Sequence, residues 1–529
     1  MDTVMGCAFA RVGANMRNPI ARKNVAILMT GKMIGLAMVL FLIHSLMPGT
    51  AQAQEGGDAI DPVASVNAIN TAWVLIAAFL VFGMQVGFVM LEAGFARERE
   101  SVNILVEGIA DTCLCGILFW AIGFAFMFED GNKFIGTHGF FLQNLPDTYG
   151  TTGVPLLAFW VFQFAFADTA STIVSGAMVG RCGFIGDLLY SVGVTGFIYP
   201  IVGHWAWGPD GWLAVRGFHD FAGSTVVHTI GGTISLAGAI ALGPRLGRVF
   251  KRDGGGPMPP HNLLLGAVGG LILWFGWYGF NPGSTLSALD AQGIGRVSFN
   301  TTLAACSAGL TALFYSYART QKFDLGLLTN GFLAGLVAIT APCYWVNPTG
   351  AFFIGMIGAG AMIIGLEVLE FFRIDDPIGA VPVHMFAGIA GTLSLGLFGA
   401  GRFGLPTSLG ADATTPLFGG TTPTVDGLFY GGGTHLLWVQ AYGVASVAAA
   451  VFAVSIVMMY ALRIVGVLRI SEAGEREGLD VHEHGASAYP EFVLNRGMGG
   501  VDYSGGGMPA AAMAPAMAGK PSISQNGQP

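Results

Sequence analysis

Charge is scarce in this chain. Only 11% of its 529 residues are Asp, Glu, Lys or Arg, against 53% hydrophobic content and a mean hydropathy of +0.63. An ordinary soluble surface cannot be built from that balance. Cysteine is scarce too. Cys113 and Cys115 sit inside an apolar segment, while Cys7, Cys182, Cys306 and Cys343 are scattered, so neither a disulfide framework nor a metal site is spelled out, and small buried hydrophobes are the reading. The net charge of −8 is spread over loops and tail and carries no message about nucleic acid. What abounds instead is apolar runs of about twenty residues, each able to cross a hydrocarbon core roughly 30 Å thick as a helix. The 81 glycines suit helices whose backbones approach closely. The composition is that of an all-α polytopic membrane protein.

Residues 1–53 read as a cleaved signal peptide. Arg17, Arg22, Lys23 and Lys32 precede the apolar run "MIGLAMVLFLIHSLM", and an A-x-A pattern ends at Ala53. The basic region is long, which leaves a later start such as Met16 open, and an extra anchoring helix is the alternative reading. Beyond residue 54, eleven spans are expected near 70–95, 103–128, 153–180, 184–207, 223–243, 262–281, 297–319, 325–346, 350–372, 378–399 and 436–464. With the mature N-terminus outside, fifteen of the nineteen cationic residues after residue 54 fall inside; only Lys133, Arg216, Arg296 and Arg402 fall outside. The positive-inside rule therefore predicts an N-out, C-in topology for the domain 54–466. Residues 400–435 form a Gly/Thr-rich external loop, 467–497 an ordered cytoplasmic segment, and 498–529 a low-complexity, disordered tail.

Two titratable rings stand in this apolar background. In "HDFAGSTVVHTIGG" (219–232) His228 follows Asp220 by eight residues, and in "DDPIGAVPVHMFAGIAG" (375–391) His384 follows Asp376 by eight. Eight helical residues advance about 12 Å, so both rings approach the midplane, one from each face of the membrane. That is the product of a five-plus-five inverted repeat with one extra helix, whose functional site lies between the halves. Each histidine has a Val before it and a Gly four after it. A single such histidine often does no more than bond a neighbouring helix; two at matched depth point to function. Asp220 and Asp376 take the structural role of N-caps, with Pro377 suited to the first helical position. No third ligand stands at a spacing that would make the pair a metal site.

The stretches "MQVGFVMLEAGF", "FADTASTIVSGAMVGR", "DFAGSTVVH", "GWYGFNPGS" and "DDPIGAVPVH", in that order with "EREGLDV" near the tail, closely resemble the signatures of the ammonium transporter (Amt/Mep/Rh) family over about residues 65–490. The resemblance implies a homotrimer in the cytoplasmic membrane, with one pore per subunit and no cofactor. It implies that Phe162, Trp207 and Ser284 recruit ammonium at an outer vestibule. Phe166 and Phe280 would form a stacked gate, and His228, His384 and Trp277 would line the pore below it. The cargo fits those residue types: ammonium is a diffuse cation with four N–H donors, suited to aromatic faces and a hydroxyl acceptor. A full cation in an apolar bore is costly, so ammonia and a proton are expected to move apart, the imidazoles carrying the proton. Without the resemblance, Phe166 would read as core and Trp207 as an interfacial belt residue.

Three departures from the family pattern stand out. "ARERESVN" interleaves acids where a basic-then-Asn stretch is common, and Gly180–Arg181 replaces a common Glu–Arg, which removes an expected charge pair. Asp168 falls where a small uncharged residue is usual, either at a subunit contact or near the gate. The functional alternatives are an electroneutral ammonia channel and an ammonium sensor, the latter signalling through its tail, where 471–491 offers a surface to a PII-type regulator. A membrane enzyme using the two histidines as acid and base lacks a nucleophile motif.

Overall fold

The computed structural model describes residues 62–400 and 425–490. The expected signal peptide, most of the 400–435 loop, residues 491–497 of the expected ordered segment and the 498–529 tail lie outside the described residues. Ten helices among those described are long and apolar enough to cross a membrane: α1 (Val63–Phe95), α2 (Glu98–Phe128), α3 (Leu156–Gly176), α4 (Phe184–Trp207), α5 (Ser224–Leu242), α6 (Leu263–Gly283), α7 (Ala291–Thr320), α9 (Pro348–Phe372), α10 (Val381–Phe398) and α11 (His435–Val465). Between α7 and α9 lies α8 (Leu325–Thr340), apolar but shorter. The run expected to 346 stops early because Pro342 cannot continue the helical ladder, and turns cover 341–345. Asp324 opens α8 by accepting from the Leu327 N–H at 2.6 Å. Asn347, with Pro348 at the first position, opens α9 in the same way. Two short antiparallel ribbons, Gly131–Asn132 with Ile135–Gly136 and Thr148–Tyr149 with Val154–Pro155, decorate the α2–α3 loop.

Glycine decides how closely these helices pack. A Cβ added to Gly94 of α1 would lie 2.2 Å from the Gly266 backbone of α6, and one added to Gly269 would lie 2.4 Å from the Leu91 backbone. The α1–α6 contact is therefore backbone against backbone, as small residues permit in a bilayer. Position in the bundle follows from burial: 89% of the α5 window is buried, against 28% for α11. Helix α5 is the most enclosed of these spans and α11 the least. Large apolar side chains such as Phe275, Ile364, Val457 and Ile464 point outward, as a lipid-facing surface requires.

The face carrying Arg97, Arg181, Arg245 and Arg469, here the basic face, also holds the C-terminal segment with helices α12 (Glu472–Glu477) and α13 (Leu479–His484). Asp480 accepts from the Asn103 N–H at 2.9 Å, and Glu475 from the Leu246 N–H. Two of the sequence departures meet on this face. Gly180 (φ +82°) has no room for a side chain, because an added Cβ would stand 2.6 Å from the Glu100 carboxylate. Glu100 is fully buried and paired with Arg97, whose guanidinium also donates to the Gly180 carbonyl at 3.1 Å. A buried ion pair thus stands beside Gly180, its carboxylate supplied from α2. Arg181 is held by carbonyls of Gly243, Val179 and Asp375.

Candidate functional site

The two histidine turns share one construction. Residues Ser224–Thr229 and Val381–Phe386 are π-helical, a local widening that often marks a working position. Ahead of the first, the Asp220 carboxylate accepts from the N–H groups of Gly223, Thr225 and Val226 at 2.8–2.9 Å. Ahead of the second, Asp376 accepts from Gly379, Ala380 and Val381 at 2.8–3.1 Å. The glycine four residues after each histidine brings the helices together. A Cβ on Gly232 would lie 2.3 Å from the Met385 nitrogen, and one on Gly388 would lie 2.5 Å from the Ser224 carbonyl. Thr225 and Thr392 hydroxyls meet at 2.6 Å across the same crossing.

This crossing sets the rings face to face. His228 and His384 stack with centroids 5.2 Å apart, and their Nδ1 atoms are 3.1 Å apart. One ring must donate and the other accept in that bond. Among the described residues the His228 Nε2 has no hydrogen-bond partner. Trp277 stacks on His228 at 5.2 Å and is locked by its own N–H to Thr340 Oγ1 at 2.9 Å. Above His228 lies Phe280, 5.5 Å away, itself stacked on Phe166 at 3.9 Å. Phe166 touches Phe162 (4.7 Å) and, edge-on, Trp207 (6.2 Å). Trp207 gives its N–H to the Asp220 carbonyl at 2.7 Å. Ser284 ends α6 with its hydroxyl donating to the Phe280 carbonyl at 2.8 Å, so what it offers to anything else is an acceptor. Below His384 is a cavity of about 20 Å³ lined by residues including Phe88, Glu92 and Trp277. It shares Asn330, Ile378 and Gly379 with a 370 Å³ cavity reaching the basic residues Arg245, Arg248 and Lys251.

The eight residues singled out in the sequence as vestibule, gate and pore thus form one column, with Asp220 and Asp376 at its two ends. Asp168 does not join it. That carboxyl is fully buried within this chain and faces Thr112 and Gln85 from α2 and α1, so it is not presented at the chain's surface for a subunit contact. Thr340 and Glu92 were not anticipated; nothing in their local sequence distinguishes them from other polar residues in a span. At the basic end, Asp375 binds Arg245 through both carboxylate oxygens at 2.8 and 3.0 Å. Burial by itself pushes that carboxyl up, but the Arg245 hydrogen bonds and the charges of Arg181 and Arg245 outweigh it and hold it well below the usual carboxylate range.

Residues 72–489 match the model of the Ammonium Transporter Family. The ammonium transporter Amt2 of Archaeoglobus fulgidus is 39% identical over 472 residues, covering 87% of this chain and 97% of that protein. A putative ammonium transporter of Synechocystis, sll1017, is 37% identical over 452 residues, 84% of this chain and 94% of that one. Among solved structures, one described as a Sensor Amt Protein matches with a TM-score of 0.70 and 37% identity, covering 80% of this chain and 99% of that one. The Mep2 structure from Candida albicans matches with a TM-score of 0.69 and 27% identity, over 79% of this chain and 90% of that one. The relatives form a membrane transport family rather than one of enzymes. On fold, motifs and these matches together, the chain belongs to the ammonium transporter family.

Proposed function

We propose that this protein takes ammonium across a cytoplasmic membrane by separating it into ammonia and a proton. The single observation that carries this reading is the continuous column Phe166–Phe280–His228–His384, with Trp277 against the rings. Phe162, Trp207 and the Ser284 acceptor collect the cation at the external end through cation–π contact and one hydrogen bond. In this reading the stacked Phe166–Phe280 pair admits no hydrated ion, so potassium, which cannot shed a proton, is excluded. Ammonia passes the two imidazoles, and the bond between their Nδ1 atoms gives the proton a route between the rings. The basic face is cytoplasmic in this reading, the mature N-terminus is external after cleavage near Ala53, and three copies assemble with one pore each.

Ammonium pulses on liposomes fused to a solid-supported membrane test it. Wild type should give a current with ammonium and none with potassium. His228→Ala and His384→Ala should each lower the charge moved by about tenfold or more, the scale of a lost acid–base group, or let potassium through. Ammonium-driven uptake with no current in wild type would replace this reading by an electroneutral ammonia channel.

A sensing role is favoured by a separate observation. The C-terminal segment is tied to the start of α2 through Asp480 and through His484, whose Nε2 bonds the Asn103 side chain at 2.8 Å. A PII-type protein docking on 471–491 would act through that tie.

A further inference from the structure

Helix α2 buries a polar stripe that the pore does not use. Asn103, Glu107, Asp111 and Cys115 recur every fourth residue on its inward side, while Leu105, Ile109 and Ile117 face outward. Helix α4 sets Asp187, Tyr190 and Ser191 against that stripe, and all three are essentially without exposure. The Asp187 carboxyl accepts from the Tyr190 hydroxyl and lies against the carboxyl of Asp111. Glu107 adjoins Asn103 and feels the charge of Asp187.

None of Glu92, Glu107, Asp111, Asp168 or Asp187 forms an ion pair among the described residues. An oxygen of Glu107, of Asp111 and of Asp187 is left without a donor, as are both oxygens of Asp168. Ser191, fully buried and itself without a partner, points at Asp111. Ionised carboxylates packed together with no cation at this depth are prohibitively costly. A proton shared between two touching carboxyls removes one of their two charges and supplies the missing hydrogen bond. Among the described residues no group of acids, histidines or cysteines converges as a metal site would require. The ligand this cluster fits is the proton.

Both ends of the stripe lead somewhere. Glu92, which takes the Ser175 hydroxyl at 3.0 Å, shares with His384 the 20 Å³ cavity below the rings, room for about one water. Glu92 is buried, as Asp187 and Glu107 are, and stands close enough to both for their charges to act on it. At the basic face Glu107 feels the exposed Glu483, and Asn103 holds His484. Besides these groups, the titratable side chains facing the cluster include Asp168 from α3, Cys115 of α2 itself, Cys182, Asp480 and, beside Glu92, Asp376.

We propose that Glu92, Asp187, Asp111 and Glu107 carry the proton from His384 to the basic face, beside the route taken by ammonia. This rests on the electrogenic reading above. The His384 N–H breaks as a proton passes through the cavity to Glu92. Each carboxyl accepts on one oxygen as it releases from the other, so one O–H forms for every O–H broken. The last proton leaves Glu107 toward Glu483 and His484.

The test compares wild type with Glu107→Gln and Asp187→Asn, neutral isosteres that keep the shape of a protonated acid. Charge moved per ammonium is measured on the supported membrane, and the carboxylic-acid stretch is measured by infrared difference spectroscopy in H2O and D2O. The wild-type protein should show a deuterium-sensitive protonated carboxyl band that weakens in each variant. Charge per ammonium should fall about tenfold in both, with ammonia flux retained. Full charge per ammonium in both variants, or carboxyls that appear only ionised, overturns the relay and leaves the electrogenic reading standing. A wild type that moves ammonia without current overturns that reading and the relay with it.

Discussion

At the start of α5, Asp220 gathers the N–H groups of Gly223, Thr225 and Val226; at the start of α10, Asp376 gathers those of Gly379, Ala380 and Val381. Each turn is π-helical, holds its histidine eight residues after the aspartate, and uses a glycine four residues later to reach the other helix. What surrounds the turns differs. The α5 turn is anchored by an indole, Trp207 donating to the Asp220 carbonyl at 2.7 Å. The α10 turn is anchored by charge: Asp375, the neighbour of Asp376, binds Arg245 and Arg248 by its side chain, and Arg181 by its carbonyl at 2.6 Å. The shared part is what the rings need to meet. The unshared part answers to the two sides of a membrane, aromatic on one face and ionic on the other.

The ionic anchor is where that contrast should break most. Asp375→Asn leaves Arg245 buried without its carboxylate and should cost about 3–5 kcal/mol, whereas Trp207→Phe, losing one neutral hydrogen bond, should cost about 1 kcal/mol. Thermal unfolding in detergent measures both, and equal losses would undo the contrast. The Asp375 carboxyl is held below its ordinary range, so its contribution is present above pH ~3.9, the unfolded value. It is lost as pH falls through that value toward the lower folded one. The gap between wild type and Asp375→Asn should therefore be full at neutral pH and shrink in acid.

The shared crossing gives a smaller, symmetric expectation. Gly232→Leu and Gly388→Leu both drive a side chain into backbone, 2.3 and 2.5 Å from the nearest atom, and each should cost about 1–3 kcal/mol or more. Similar losses in the two would sharpen the equivalence of the turns; tolerance of one alone would break it. The smallest effect belongs to the caps. Asp220→Asn and Asp376→Asn keep one acceptor oxygen and should each cost about 1 kcal/mol, read from the same unfolding curves. A difference well above that between the two would mean that the anchors, not the turns, hold the N–H groups.

Much of this was legible in the residues. Apolar runs located the spans, because a bilayer demands length and little else, but the expected ends missed by up to seven residues, as at Val63 against the expected 70. The Asp-to-His spacing and the glycine after each histidine announced the paired turns. The π-helical form was not legible, since it depends on how two helices wedge against each other. Nor was the early end of α8 drawn from Pro342, although the signal was there. The α2 stripe is visible in hindsight as Asn103, Glu107, Asp111 and Cys115 at helical spacing, but its meaning needed Asp187, seventy-six residues on from Asp111. Asp168 stayed unplaced for the same reason: a helix sequence states which residues share a face, not which neighbour that face meets.

Glu100 and Gly180 depend on each other. The buried carboxylate beside Arg97 fills the space that a side chain at residue 180 would need. A chimera whose segment 96–101 lacks Glu at position 100 would leave Arg97 without its carboxylate; one whose segment 177–183 brings Glu to position 180 would crowd two carboxylates into that space. The two segments must be transplanted as a unit.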